Sequence, residues 1–223
     1  MENKTKLIGA SFGVLGDSYS TFKDYIPEGN RCYYPNPERV DDVLAVEQTW
    51  WHRVLSHGGA TLVQNNSWSG STICYTGYNG VNCSETSSFI CRLRKLKREG
   101  FFAANKIDTV FVFGGTNDSW CGAPTGEPKY EGFTEADLFL SLPAAACFLQ
   151  ELKETVPQAK IAVIINTGLK PALVEVFKTS CEKLGLSYVE LRDIDKRCGH
   201  PTILGMSQIA ERIVEALDVE AGA

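Results

Sequence analysis

The chain has 223 residues, a hydrophobic content of 43% and a formal net charge of −5. This length and composition are typical of a globular protein, and we expect one domain over residues 1–223. The negative charge gives no indication of a nucleic-acid partner, and no apolar run approaches the ~20 residues that a membrane-spanning helix needs.

Strand-like and helix-like segments alternate along the chain. Segments rich in β-branched and aromatic residues predict five strands, at 6–16, 60–68, 108–118, 160–168 and 186–194. Apolar residues spaced three and four positions apart predict helices at 46–59, 86–98, 134–155, 171–184 and 203–217. Strands that alternate with helices pair in parallel through right-handed crossovers, so we expect an α/β protein, a three-layer α/β/α sandwich around a five-stranded parallel sheet.

Long irregular stretches follow several predicted strands, at 23–46, 73–85 and 119–133. Connections of this length inside a compact domain are usually functional or mobile. Because ligands of such sheets bind beyond the carboxyl ends of the strands, these stretches indicate where a site should lie.

The eight cysteines include no CxxC pair, which argues against a zinc ribbon or a thioredoxin-type motif. A chain of this size can build its core without disulfides, so we favour free thiols and a cytoplasmic location. A bridge between Cys74 and Cys83 is the alternative to check first. The first 18 residues are not interpreted as a signal peptide, because their apolar stretch runs directly into the turn at Gly16; a secretion signal that has been removed is the alternative.

Residues that could take part in catalysis lie at or just after the ends of four predicted strands. The sequences "GDS" at 16–18 and "NNSWSG" at 65–70 follow the first two strands. "GGTND" at 114–118 ends the third, and "DIDKRCGHP" at 193–201 follows the fifth. Carboxyl ends of parallel strands meet at one edge of a sheet, so we expect Ser18, Gly70, Asn117 and His200 to converge there.

This ordered set of motifs resembles that of the SGNH, or GDSL, hydrolase family, over residues 16–201. The resemblance implies a flavodoxin-like fold and hydrolysis of an ester through an acyl-serine intermediate. Ser18 would be the nucleophile and His200 the base that takes its proton. The backbone N–H groups of Ser18 and Gly70 and the side-chain amide of Asn117 would form the oxyanion hole. These residue types suit the chemistry, because a serine hydroxyl needs a base and an oxyanion needs preorganised donors. Neither a metal nor an organic cofactor is required.

The group that orients the histidine departs from the family pattern. Family members often have an aspartate three residues before the histidine, where this chain has Arg197. We favour Asp195, five residues before His200, as the third catalytic residue. A backbone carbonyl that orients the ring, which would leave a Ser–His dyad, is the alternative.

Aromatic residues adjoin the motifs and suggest the substrate. Trp68 lies two residues before Gly70 and Trp120 three after Asn117, and the long loops hold Tyr33, Tyr34, Tyr75 and Tyr78. Flat aromatic surfaces with polar handles suit sugar rings. We therefore expect a small acyl group, such as acetyl, on a carbohydrate-like alcohol, with Trp68 and Trp120 as substrate-binding residues.

Several other functions stay open. The enzyme alternatives are a lipase or lysophospholipase and a thioesterase, and the other class is a carbohydrate-binding protein without turnover. A flavin or phosphate site would suit the same sheet, but the chain lacks a GxGxxG motif after the first strand. The basic run "RLRKLKRE" at 92–99 is expected to be a solvated helix face, not a nucleic-acid site. The oligomeric state is not indicated.

Overall fold

A computed structural model describes residues 10–36, 38 and 41–219. The main sheet contains β1 (Ser11–Gly16), β2 (Thr61–Ser67), β3 (Thr109–Phe113), β4 (Lys160–Ile165) and β5 (Ser187–Glu190). Its order is β2-β1-β3-β4-β5, and every neighbouring pair is parallel. All five predicted strands are confirmed; residues 6–9 of the first prediction lie outside the described residues.

The helices of the described residues are α1 (Trp50–Gly58), α2 (Phe89–Arg98), α3 (Phe101–Ala104), α4 (Thr116–Trp120), α5 (Ser141–Thr155), α6 (Pro171–Leu184) and α7 (Ile203–Val219). The longer helices confirm the predictions, with one correction. The segment 134–155 is not one helix, because a 3-10 turn at Glu135–Phe139 is separated from α5 by the extended residue Leu140. Pro143 lacks a backbone N–H and is tolerated only in the first turn of a helix, which explains why α5 begins at Ser141.

The core lies on both faces of the sheet. Along β3, Val110 and Val112 pack with residues of α2, α5 and α6, whereas Phe111 and Phe113 pack with residues of α1 and α7. Every residue of β3 is buried, as expected for a parallel strand covered on both faces. The predicted three-layer α/β/α arrangement is therefore confirmed.

The sheet order puts the switch in strand order between β1 and β3, where a crevice is expected. The chain leaves β1 for β2 on one side and then crosses back to β3 on the other side. Where neighbouring crossovers diverge in this way, a crevice opens beyond the carboxyl ends of the two strands. Ser18 comes two residues after β1 ends, and Asn117 four residues after β3 ends.

A small hairpin follows the main sheet. It pairs β6 (Lys196–Arg197) antiparallel with β7 (His200–Pro201), and α7 begins directly after it. The hairpin forms its own two-stranded sheet and so carries His200 outside the central sheet.

All eight cysteines are free thiols, so the alternative bridge between Cys74 and Cys83 is not formed. In the part of the chain that the structure describes, no helix combines the length and the apolar character needed to cross a bilayer.

Candidate active site

The turn after β1 presents Ser18 at the crevice. Ser18 begins a single 3-10 turn, and Asp17 caps it by accepting a hydrogen bond from the Tyr19 N–H at 3.0 Å. The Asp17 N–H donates to the Phe113 carbonyl at 3.1 Å, which ties the turn to β3. A Cβ at Gly16 would lie 2.5 Å from Ser67 Oγ, so glycine is the residue that fits there. Main-chain packing therefore fixes the position of Ser18.

Ser18 and His200 are in direct contact. The Ser18 Oγ lies 2.9 Å from His200 Nε2. The two residues of the hairpin turn, Cys198 and Gly199, both have positive φ, at 49° and 81°. This backbone conformation matches the twist of a two-residue hairpin, and the hairpin carries the ring to the serine. A hydroxyl bonded to an imidazole nitrogen is the arrangement that proton removal requires.

The other ring nitrogen of His200 meets a backbone carbonyl. Nδ1 lies 3.4 Å from the Cys198 carbonyl oxygen. If Nε2 accepts the serine proton, Nδ1 carries the ring hydrogen and points it at this carbonyl.

The structure does not bring Asp195 to His200. The Asp195 carboxylate accepts a hydrogen bond from the Thr202 hydroxyl, and its backbone N–H donates to Gln208 Oε1 at 2.8 Å. The reason is the hairpin, which sets Asp195 opposite Thr202, at the start of α7. The carbonyl alternative therefore fits the geometry better than the favoured prediction.

The Asn117 side chain is held in one orientation. Its Nδ2 donates to the Ser71 carbonyl at 2.9 Å, and its Oδ1 accepts from the Tyr78 hydroxyl at 2.9 Å. Because a carbonyl oxygen can only accept, the Ser71 contact identifies the nitrogen end of the amide. An amide nitrogen has two hydrogens, so one remains for a substrate oxygen.

Gly70 lies in a turn that is bonded to the nucleophile strand. The Trp68 N–H donates to the Gly16 carbonyl at 3.1 Å, and the Ser71 N–H donates to the Trp68 carbonyl at 3.2 Å. Gly70 has a φ of 83°, a conformation that glycine adopts without strain. Within the described residues, the backbone N–H groups of Ser18 and Gly70 have no acceptor. Together with Asn117, they are the donors that an oxyanion hole would use.

Comparisons with known proteins identify the family. The model of the GDSL-like lipase/acylhydrolase family matches residues 10–217. The chain belongs to this family.

Solved structures agree with that assignment. A protein from Bacteroides ovatus described as a GDSL-like lipase is 43% identical, with a TM-score of 0.84 over 92% of this chain and 96% of its own. A second, from Bacteroides uniformis, is 40% identical, with a TM-score of 0.85 over 93% of this chain and 94% of its own. An acetyl xylan esterase from Butyrivibrio proteoclasticus is 16% identical, with a TM-score of 0.61 over 96% of this chain and 65% of its own, and so shares the fold. No match was found among curated proteins. These relationships support an ester hydrolase.

In this GDSL-like family member, Arg92 is a site-supporting residue that the sequence analysis missed. Its guanidinium is buried and donates to the Gly16 carbonyl at 3.1 Å, to Ser71 Oγ at 3.2 Å and to Asn66 Oδ1 at 3.0 Å. It thereby joins the ends of β1 and β2 to the Gly70 turn. The predicted solvated face is wrong for Arg92, although Lys95, Lys97 and Arg98 are exposed. Arg92 lies three residues after Phe89 and beside Leu93, so its spacing already placed it on the apolar face.

Burial shifts the pKa values of three ionisable residues around the site. It raises the pKa of Asp17 to about 7 and also raises the pKa of Asp118, whose carboxylate accepts the backbone N–H groups of Ile73 and Cys74. Burial lowers the pKa of Lys196 to about 8, and its Nζ donates to Thr167 Oγ1 at 2.6 Å. Asp118 thus connects the loop after Gly70 to α4, on which Asn117 lies.

The aromatic residues divide into two groups. Trp120 is 46% exposed and its ring lies 6.4 Å from the His200 ring, edge to face, while Trp68 is half-buried. Tyr33 and Tyr34, which the sequence placed among substrate-binding loops, are buried against the His200 hairpin instead. Their hydroxyls and rings find partners inside the protein, so they support the site and do not line an open surface.

Proposed function

We propose that this protein is a serine esterase that removes a small acyl group, such as acetyl, from a carbohydrate-like alcohol. The observation that carries the proposal is the 2.9 Å contact between Ser18 Oγ and His200 Nε2. The backbone N–H groups of Ser18 and Gly70, which have no acceptor among the described residues, and the oriented Asn117 amide support it, because acyl transfer needs a nucleophile, a base and oxyanion donors in one place.

The reaction follows from these contacts. His200 Nε2 takes the proton of Ser18 as Oγ attacks the ester carbonyl, and the resulting oxyanion accepts hydrogen bonds from the Ser18 and Gly70 N–H groups and from Asn117 Nδ2. His200 then returns the proton to the departing alcohol, which leaves an acyl-serine. A water molecule, deprotonated by the same imidazole, attacks the acyl group; the acid leaves, and the Ser18 hydroxyl regains its proton.

In this scheme the Cys198 carbonyl sets the tautomer of His200. It accepts from Nδ1–H, which keeps Nε2 free to act as the base. The site would then work as a Ser–His dyad, and neither a metal nor an organic cofactor enters any step.

The substrate preference rests on the exposed aromatic residues. Trp120 presents an exposed ring beside His200, and Tyr78, which is 42% exposed, places its hydroxyl on Asn117. Aromatic faces next to polar groups suit a sugar ring on the alcohol side of the ester. Trp68, at the Gly70 turn, is the second residue that we propose to contact the substrate.

The first experiment tests the chemistry. Wild-type protein should hydrolyse p-nitrophenyl acetate, and a fluorophosphonate probe should label Ser18, as identified by mass spectrometry. Ser18→Ala should lose both properties while it keeps the wild-type unfolding temperature. Undiminished hydrolysis in the variant would dismiss the scheme.

The second experiment tests the substrate. Rates measured on p-nitrophenyl esters from acetyl to decanoyl should fall with chain length, and acetylated xylan should release acetate. Rates that rise toward decanoyl would favour a lipase or lysophospholipase, and preference for acyl-CoA substrates would favour a thioesterase. Inertness toward all esters and the probe, combined with glycan binding, would identify a binding protein without turnover.

A further inference from the structure

The two carbonyls that flank His200 in the sequence each accept a hydrogen bond from a tyrosine. The Tyr19 hydroxyl donates to the Gly199 carbonyl, and the Tyr34 hydroxyl donates to the Pro201 carbonyl at 2.8 Å. Both tyrosine side chains are fully buried. Burial raises the pKa of each hydroxyl above its ordinary value, so both tyrosines stay neutral donors.

A third tyrosine covers the ring itself. The Tyr33 ring stacks on the His200 imidazole, with centroids 3.7 Å apart and planes 6° from parallel. Its hydroxyl donates to Asp41 Oδ1 at 3.4 Å. A stack this close restricts rotation of the imidazole about the Cβ–Cγ bond, because a rotation would drive the ring into the phenol ring of Tyr33.

Hydrogen bonds through Thr21 also connect the main chain of Tyr33 to Ser18. The Tyr33 N–H donates to Thr21 Oγ1 at 2.9 Å, and the Thr21 hydroxyl donates to the Ser18 carbonyl at 3.0 Å. Tyr19 is the residue that directly follows Ser18. The elements that hold the histidine are therefore attached to the turn that presents the serine.

We propose that Tyr19, Tyr33 and Tyr34 form a tyrosine clamp, which positions His200 against Ser18 in the role that a carboxylate has in a Ser–His–Asp triad. In such a triad the carboxylate fixes the orientation of the ring. Here the Cys198 carbonyl contact is long, the two buried hydroxyls fix the main chain on both sides of His200, and the Tyr33 stack fixes the ring plane. The clamp residues are positioning residues, and the inference rests on the proposed function.

The experiment separates the contribution of the Tyr33 ring from that of the Tyr34 hydroxyl. Tyr33→Leu removes the stack, whereas Tyr33→Phe keeps it, and Tyr34→Phe keeps the ring but removes the hydrogen bond to Pro201. We expect kcat on p-nitrophenyl acetate to fall about tenfold in Tyr33→Leu and in Tyr34→Phe, with KM changed less than about twofold. Tyr33→Phe should stay within about threefold of wild type.

Two control variants accompany these. Tyr188→Phe removes a tyrosine hydroxyl on the edge strand β5, which β4 separates from β3, and Asp195→Asn removes the carboxylate that the sequence favoured. Both should keep the wild-type kcat. The unfolding temperature is measured for every variant, so that kinetic constants are compared only among folded proteins; if Tyr34→Phe does not fold, the Tyr33 pair decides.

Wild-type kcat in both Tyr33→Leu and Tyr34→Phe would overturn the clamp, and so would a rise in KM at constant kcat, which would make the tyrosines substrate contacts. A tenfold loss in Asp195→Asn alone would return the orienting role to the carboxylate. These outcomes are distinct from failure of the proposed function, which would appear as retained activity in Ser18→Ala.

Discussion

Ser18 and His200 meet at one contact, but the fold holds them by different means. Ser18 lies in a turn continuous with the central strand β1, where Gly16 packs against β2 and the Asp17 N–H bonds to β3. His200 lies on a two-residue strand outside the main sheet, held by tyrosine side chains from a distant part of the chain. Packing around the main chain therefore sets the position of the nucleophile, whereas side chains set the position of the base.

The largest effect is expected at Gly16, where a side chain would collide with Ser67 and Ser20 beside the Ser18 turn. In Gly16→Ala the new methyl group would lie 2.5 Å from Ser67 Oγ and 2.6 Å from Ser20 Cβ, so the Ser18 turn must move. We expect kcat/KM to fall at least about 100-fold and the free energy of unfolding to fall by about 1–3 kcal/mol. Steady-state kinetics and urea unfolding measure both quantities.

Gly13→Ala is the matched control on the same strand, because its methyl group would meet Ile107 Cδ1 at an ordinary 3.5 Å. If Gly16→Ala has the same kinetics as Gly13→Ala, the nucleophile is not held by the packing of its main chain.

The next effect concerns the candidate oxyanion donor. Asn117→Ala should lower kcat by about 100-fold, since loss of one oxyanion donor costs about 3 kcal/mol of barrier, while KM changes little. Tyr78→Phe removes only the partner of Asn117 Oδ1 and should have a smaller effect in the same assay. An unchanged kcat in Asn117→Ala would exclude this amide from the oxyanion hole.

Folding stability is expected to depend on pH through Asp17, the residue before the nucleophile. Burial raises the pKa of Asp17 from 3.8 to about 7, so the folded state keeps this proton over a range where the unfolded state has lost it. Folding stability should therefore fall as pH rises through this window. Between pH 5 and 7, wild type should lose about 2 kcal/mol relative to Asp17→Asn, which cannot ionise.

Urea unfolding at both pH values measures this difference. Asp108→Asn is the control, because hydrogen bonds from Ser11 lower the pKa of Asp108 and place its titration below this window. Parallel pH profiles for wild type and Asp17→Asn would contradict the prediction.

The smallest effect tests the hairpin that carries the base. Gly199 has a φ of 81°, and a Cβ there would lie 3.0 Å from Trp120 Cη2. Gly199→Ala should shift the hairpin and lower kcat about tenfold, with a stability cost of about 1 kcal/mol. Gly122→Ala shares the positive φ but meets nothing within 4 Å, so it should show the stability cost with unchanged kcat. Equal kinetics in the two variants would mean that His200 tolerates movement of its turn.

The parts of the molecule that could be predicted from the sequence depend on local pattern. Strand and helix periodicity indicated the sheet, and strand ends followed by Ser18 and Asn117 indicated where chemistry would lie. Asp195 was favoured from its distance in sequence to His200, but the pairing that sets it opposite Thr202 depends on a two-residue turn with Cys198 in a left-handed conformation, which few non-glycine residues adopt. The contacts of Tyr33 and Tyr34 with His200 span more than 160 residues, and no local pattern reports them.

Arg92 is an intermediate case. Its spacing relative to Phe89 and Leu93 was visible in the sequence, but a charged residue is rarely buried unless all its donors find partners. Those partners are backbone carbonyls and side-chain oxygens from β1, β2 and two loops, so only the folded chain shows that burial is possible.

The separate attachment of the His200 hairpin has a consequence for how the protein would lose activity. Contacts with Ser18 and with the buried Tyr19, Tyr33 and Tyr34 hold the hairpin, and none of them belongs to the pairing of the five main strands. If these contacts break first, the base leaves the serine while the main sheet stays paired. Mild heating or a low concentration of urea would then abolish activity while the helical circular dichroism signal stayed native. Activity would thus be lost at a lower temperature than the fold. The unfolding temperature would then overestimate the temperature up to which the enzyme stays active.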